Sequence, residues 1–199
     1  MRLISFMIKY FISSLALLFP SYVTAQDSTY TELNIEQGCT LIKETVEGTS
    51  ASYQCQGFEN YPVYWSFGDL REFVRFGYIS DPASYYETFA EWNYVNTTIE
   101  WRLQNGIPFA TILRWFIDNV DPATGSVDPA MRGQVLVVSR VANTPGEQSC
   151  MVGLVYARAN ADANILAREV ADSITRKFNC GSDLIQYYGD VGRYAPSPP

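Results

Sequence analysis

From Tyr94 to Leu103 apolar and polar positions alternate. Val95, Thr97, Ile99, Trp101 and Leu103 share one face, and Asn96, Thr98, Glu100 and Arg102 the other. This is the period of a strand with one buried face. Asn105-Gly106 follows, a pair suited to the positive φ angles of a two-residue hairpin turn. The return run Ile107 to Ile117 is apolar on both faces apart from Thr111 and Arg114, which predicts a central strand lying under a helix. A loop rich in Asp-Pro and Gly spans Asp118 to Gly133. A strand over Gln134 to Ala142 then turns at Thr144-Pro145-Gly146 into another over Met151 to Ala157. There the period lengthens: between Asp162 and Phe178, residues Ala163, Leu166, Ala167, Val170, Ile174 and Phe178 form one helical stripe.

The first part of the chain reads in the same way. Cys39 to Val46 and Ala51 to Gln56 are β-prone runs around a turn at Glu47-Gly48. Tyr61 to Phe67 and Leu70 to Tyr78 read as a second strand pair turning at Gly68-Asp69, with an Asp69-capped helix as the competing pattern. Pro82 to Trp92 puts Tyr85, Phe89 and Trp92 in helical register. From Gly181 onward there is no apolar period, which predicts a flexible C-terminal tail over 181–199. The expected class is α+β: an antiparallel sheet of about six to eight strands, packed by a C-terminal helix and a short middle helix.

The N-terminus changes the setting. Arg2 and Lys9 precede an apolar run from Tyr10 to Phe19, and Val23-Thr24-Ala25 offers small residues for cleavage. Residues 1–25 therefore read as a secretory signal peptide, leaving one domain over 26–180 before the tail, with no membrane span after cleavage. Lys9 and Pro20 bracket a stretch shorter than the roughly 20 residues of a membrane span. Loss of Arg2 and Lys9 with the leader takes the formal charge from -7 to -9. That acidity argues against a nucleic-acid partner. The absence of histidine excludes imidazole-based nucleophile pairs and the usual zinc sites. No cofactor motif and no metal site emerges.

Export gives the four cysteines an oxidising environment. Folding the first ribbon at Glu47-Gly48 brings Cys39 beside Cys55. A strand from Cys150 to Arg158 advances about 25 to 30 Å at about 3.3 Å per residue, and the following helix returns about 26 Å at 1.5 Å per residue. Cys150 and Cys180 should therefore meet. The expected pairs are Cys39 with Cys55 and Cys150 with Cys180.

Gly133-Gln134-Val135-Leu136-Val137-Val138, Ser149-Cys150-Met151-Val152, the run Ala157 to Asn164, and Leu166 to Asp172 closing at Phe178-Asn179-Cys180 carry a resemblance. These segments, with Pro108 to Trp115, resemble a family of small secreted, periplasmic alphaproteobacterial proteins of uncharacterised function. The Cys39 and Cys55 region shares it more loosely. Met151 stands where some relatives carry a histidine. The resemblance implies a periplasmic setting and no particular chemistry.

Candidate chemistry is sparse. On a helix, Glu87 and Glu91 would be one turn apart, close to the carboxylate spacing of retaining glycosidases, although the same pattern describes a solvated face. Asp118, Asp121 and Asp128 share a loop but lack the order of a calcium-binding hand. No catalytic residue is assigned, and an enzyme is disfavoured. Aromatic residues are more suggestive, with Tyr 14, Phe 11 and Trp 4. Tyr64 and Trp65 are strand neighbours and cannot both enter the core of a two-layer fold unless a loop covers one. Tyr61, Tyr64, Trp65, Tyr85, Tyr86 and Trp92 form the candidate binding surface. The expected function is a periplasmic or secreted binding module docking an envelope protein or a glycan; a basic enzyme such as lysozyme would be a sharper target. The alternatives are an envelope structural or assembly factor, with Tyr187 to Pro199 as a contact segment, and a carboxylate-dependent hydrolase.

Overall fold

The computed structural model describes residues 26–81 and 87–199. Eleven strands occur among them: β1 (Gln26–Glu32), β2 (Cys39–Glu44), β3 (Ser50–Cys55), β4 (Val63–Gly68), β5 (Arg71–Phe76), β6 (Trp92–Gln104), β7 (Ile107–Asp118), β8 (Val120–Asp121), β9 (Ser126–Val127), β10 (Gly133–Arg140) and β11 (Met151–Tyr156). Helix α1 (Ile35–Gly38) is a single turn, and α2 (Ala163–Ile174) continues as a 3-10 turn over Thr175–Lys177. The expected signal peptide, 1–25, lies outside the described residues, as do 82–86 of the expected middle helix. Its described remainder is irregular at 87–89, and Trp92 already begins β6.

The strands form two principal antiparallel sheets, ordered β1-β6-β7-β10-β11 and β2-β3-β4-β5, plus the small β8-β9 ribbon. The class is β-rich α+β, but one sheet with helices on one side is corrected to two packed sheets with α2 outside. Alternation shows which residues of a strand share a face without showing that the neighbouring surface is a second sheet. Ile99, Trp101, Leu113, Trp115, Val135 and Val137 meet Val63, Trp65, Val74 and Phe76 in one core. On the other face of the five-stranded sheet, Ile112, Leu136, Val138 and Val152 meet Ala163, Ala167, Val170 and Ala171 of α2. β7 is thus buried on both sides, as its composition predicts.

Small groups let α2 settle closely. A Cβ at Gly153 of β11 would lie 2.9 Å from Val170 Cγ1 and 2.8 Å from Tyr188 Cε2. Charges fill the part of this interface nearest β1. Glu100 and Arg102, on the polar face of β6, are only 7% and 6% exposed. Arg102 donates from Nε to Asp172 Oδ1 at 3.0 Å and from Nη2 to Oδ2 at 2.6 Å. Arg168 donates from Nε to Glu100 Oε1 at 2.6 Å, and that hydrogen-bonded carboxylate holds the guanidinium above its ordinary pKa. Buried charges persist where they are paired in this way.

Both disulfides pair as the geometry predicts: Cys39 with Cys55, directly opposite across β2 and β3, and Cys150 with Cys180. The tail departs from the loosely held segment expected. The Leu154 N–H donates to Gln186 O at 3.0 Å, and the Tyr188 N–H to Leu154 O at 2.8 Å, so the chain runs along the outer edge of β11. Asn160 and Asp190 exchange two hydrogen bonds, and Asn119 Nδ2 donates to Tyr194 O at 3.2 Å. The tail satisfies backbone groups that an edge strand would otherwise leave unpaired. No helix among the described residues is long and apolar enough to cross a membrane.

Candidate functional site

The β4-β5 hairpin builds one end of the molecule. Its turn residues, Asp69 and Leu70, both adopt positive φ, 51° and 59°. Such a conformation is ordinary for glycine and costly for leucine. Leu70 is nevertheless 68% exposed, so no burial of its side chain offsets the cost. Polar contacts fasten the hairpin to the start of β6. The Asn93 N–H donates to Leu70 O at 3.1 Å, the Glu72 N–H to Asn93 Oδ1 at 3.2 Å, and Arg71 Nε to Ala90 O at 2.9 Å.

This junction encloses a groove of about 700 Å³. Trp65, Phe67, Leu70, Trp92 and Tyr94 supply apolar wall, with Glu72 among them. Trp65 and Phe67 lie with ring centroids 5.5 Å apart; Trp65 is 7% exposed and Trp92 39%. Tyr94 stacks on Phe116 at 4.9 Å, while the Arg132 guanidinium lies 5.5 Å from its ring centroid.

The charges are unevenly matched. Asp69 pairs with Arg71, and Asp118 with Arg132. Glu72 has no ion-pair partner among the described residues; its Oε2 accepts the Val95 N–H at 2.9 Å. The Trp65 indole N–H lies near enough to favour the ionised carboxylate without meeting hydrogen-bond geometry. Burial outweighs both and lifts Glu72 above the ordinary carboxylate range.

The candidate aromatic residues are dispersed by the fold. Trp65 and Trp92 come together in the groove. Tyr64 is only 8% exposed, and Trp65, 7% exposed, packs into the core between the two sheets, so neither stands out as the open aromatic surface expected; the part of Trp65 left accessible lines the groove. Tyr61 is half-buried against Tyr78, with centroids 5.2 Å apart, near the Cys39–Cys55 disulfide. Tyr85 and Tyr86 lie outside the described residues. Phe67, Leu70, Glu72 and Tyr94 belong to the groove although none is among the six residues of the candidate binding surface. The clustering of Phe67 with Trp65 on alternate strand positions was the one available signal.

A second cleft, about 290 Å³, lies beside Cys150–Cys180 and contains Arg75, Asp81, Glu87 and Glu147. Glu87 accepts the Met151 N–H, and burial raises its pKa. Glu91 does not line this cleft and its charge acts on Tyr187 instead, so the paired-carboxylate arrangement is not assembled. The loop aspartates are engaged locally: Asp118 with Arg132, Asp121 with the Ala123 N–H, and Asp128 with the Ala130 N–H. Comparison with protein-family models, curated proteins and solved structures finds no match.

Proposed function

We propose that the protein is an exported binding module, periplasmic or secreted, that docks a protein or a glycan through the groove at the β4-β5 end. The observation carrying this reading is the combination of apolar wall, partly exposed Trp92 and unmatched Glu72 in one concavity. Pockets that join aromatic wall to a few placed polar groups suit recognition. The two disulfides fit a compartment outside the reducing cytosol. Neither alternative gains comparable support: Glu87 lines the second cleft and Glu91 does not, and the tail proposed as a contact segment is engaged along β11.

The test is an indole-resolved NMR titration of the disulfide-bonded protein with lysozyme and, separately, soluble peptidoglycan fragments. Movement of the Trp65 and Trp92 indole signals, abolished by Trp92→Ala, is expected with at least one. Silence with both, or shifts confined to surfaces away from these residues, would remove the reading.

A further inference from the structure

We infer that the groove takes a cationic side chain, lysine or arginine, presented by a basic partner protein, with its head group at the Glu72 carboxylate and its stem along Trp92, Leu70 and Phe67. This rests on the binding-module reading and specifies its ligand. Three carboxylates border the groove; two have their own arginines and, among the described residues, Glu72 has none. A carboxylate can accept about four hydrogen bonds. Glu72 receives the Val95 N–H on Oε2 and the nearby, nearly buried Trp65 N–H falls short of bonding geometry, so acceptor capacity remains for an outside donor. Long aliphatic stems ending in a charge match apolar walls with an anionic seat, and indole faces attract cations. The chain's acidity, -7 over the full sequence, would further draw a basic partner. Leu70 keeps its unfavourable backbone and its exposed side chain at this rim, a pattern characteristic of ligand-contacting positions.

The experiment titrates the protein with Nα-acetyl-lysine amide and Nα-acetyl-arginine amide, with Nε-acetylated lysine as the uncharged counterpart and chitotriose as a neutral saccharide, following the Trp92 and Trp65 indole signals. The charged probes should bind at least tenfold more tightly than the acetylated one. Glu72→Gln should remove that preference, Trp92→Ala should weaken both charged probes, and Glu87→Gln in the other cleft should change nothing. Chitotriose binding in place of the cations would overturn this inference and leave the binding module standing. No response to any probe, with no response to lysozyme or peptidoglycan, would overturn both. Cation binding unaltered by Glu72→Gln would show that Glu72 is not the seat.

Discussion

Glu72 and Leu70 each hold a conformation or charge state that the fold alone does not favour. Burial makes ionisation of Glu72 harder in the folded than in the unfolded chain. The resulting destabilisation is absent below the ordinary carboxylate value of 4.5, grows as pH rises towards the higher folded value, and is constant above it. Glu72→Gln, which can still accept the Val95 N–H, should therefore melt at a higher temperature than the native protein at pH 7. The two should converge as pH approaches 4.5; a gap independent of pH in thermal unfolding would contradict this. Leu70→Gly relieves a left-handed backbone at the cost of a more mobile unfolded chain, for a net gain of about 0.5 to 1 kcal/mol in denaturant unfolding. The same change should weaken whatever the groove binds. Sequence alone could not single out either residue, because Glu72 becomes unmatched only after the fold has given Arg71 to Asp69 and Arg132 to Asp118.

At the scale of elements, local patterns were readable wherever turn chemistry and side-chain period agreed. Asn105 and Gly106 both take positive φ, and Cys39 stands opposite Cys55. The β4-β5 pair was anticipated too, with its turn one residue later, at Asp69 and Leu70. β1 escaped notice because Gln26–Glu32 is almost wholly polar; it is an edge strand whose pairing with β6 supplies what its side chains do not. The tail escaped for a similar reason: its attachment to β11 is largely by backbone groups, which carry no hydrophobic signature. Removing residues 183–199 should uncover the β11 edge and the core groups against which Ile185, Tyr187 and Ala195 pack. The truncated protein is expected to associate in a concentration-dependent way, visible by sedimentation, while the full chain at the same concentration does not.

For the molecule as a whole, two sheets and a helix are joined by packing and clipped at two places. Opening the Cys150–Cys180 bridge by the paired change Cys150→Ser and Cys180→Ser should cost about 2 to 4 kcal/mol, read by denaturant midpoint. The groove itself was not legible from sequence, since Trp65 and Trp92 belong to different sheets and meet only when those sheets close. The charged layer under α2 has an effect beyond holding the helix down. Along β6 the order is acid then base, and along α2 it is base then acid, at steps of about 6 to 7 Å in both. If α2 slipped by one turn, Arg168 would confront Arg102, or Asp172 would confront Glu100, so misaligned docking is repelled in either direction. Reversing one partner, as in Arg168→Glu, should therefore loosen the helix more than Arg168→Ala does. Adding Glu100→Arg should restore amide-exchange protection in α2, because the layer works as a key whose teeth can be recut provided both sides are recut together.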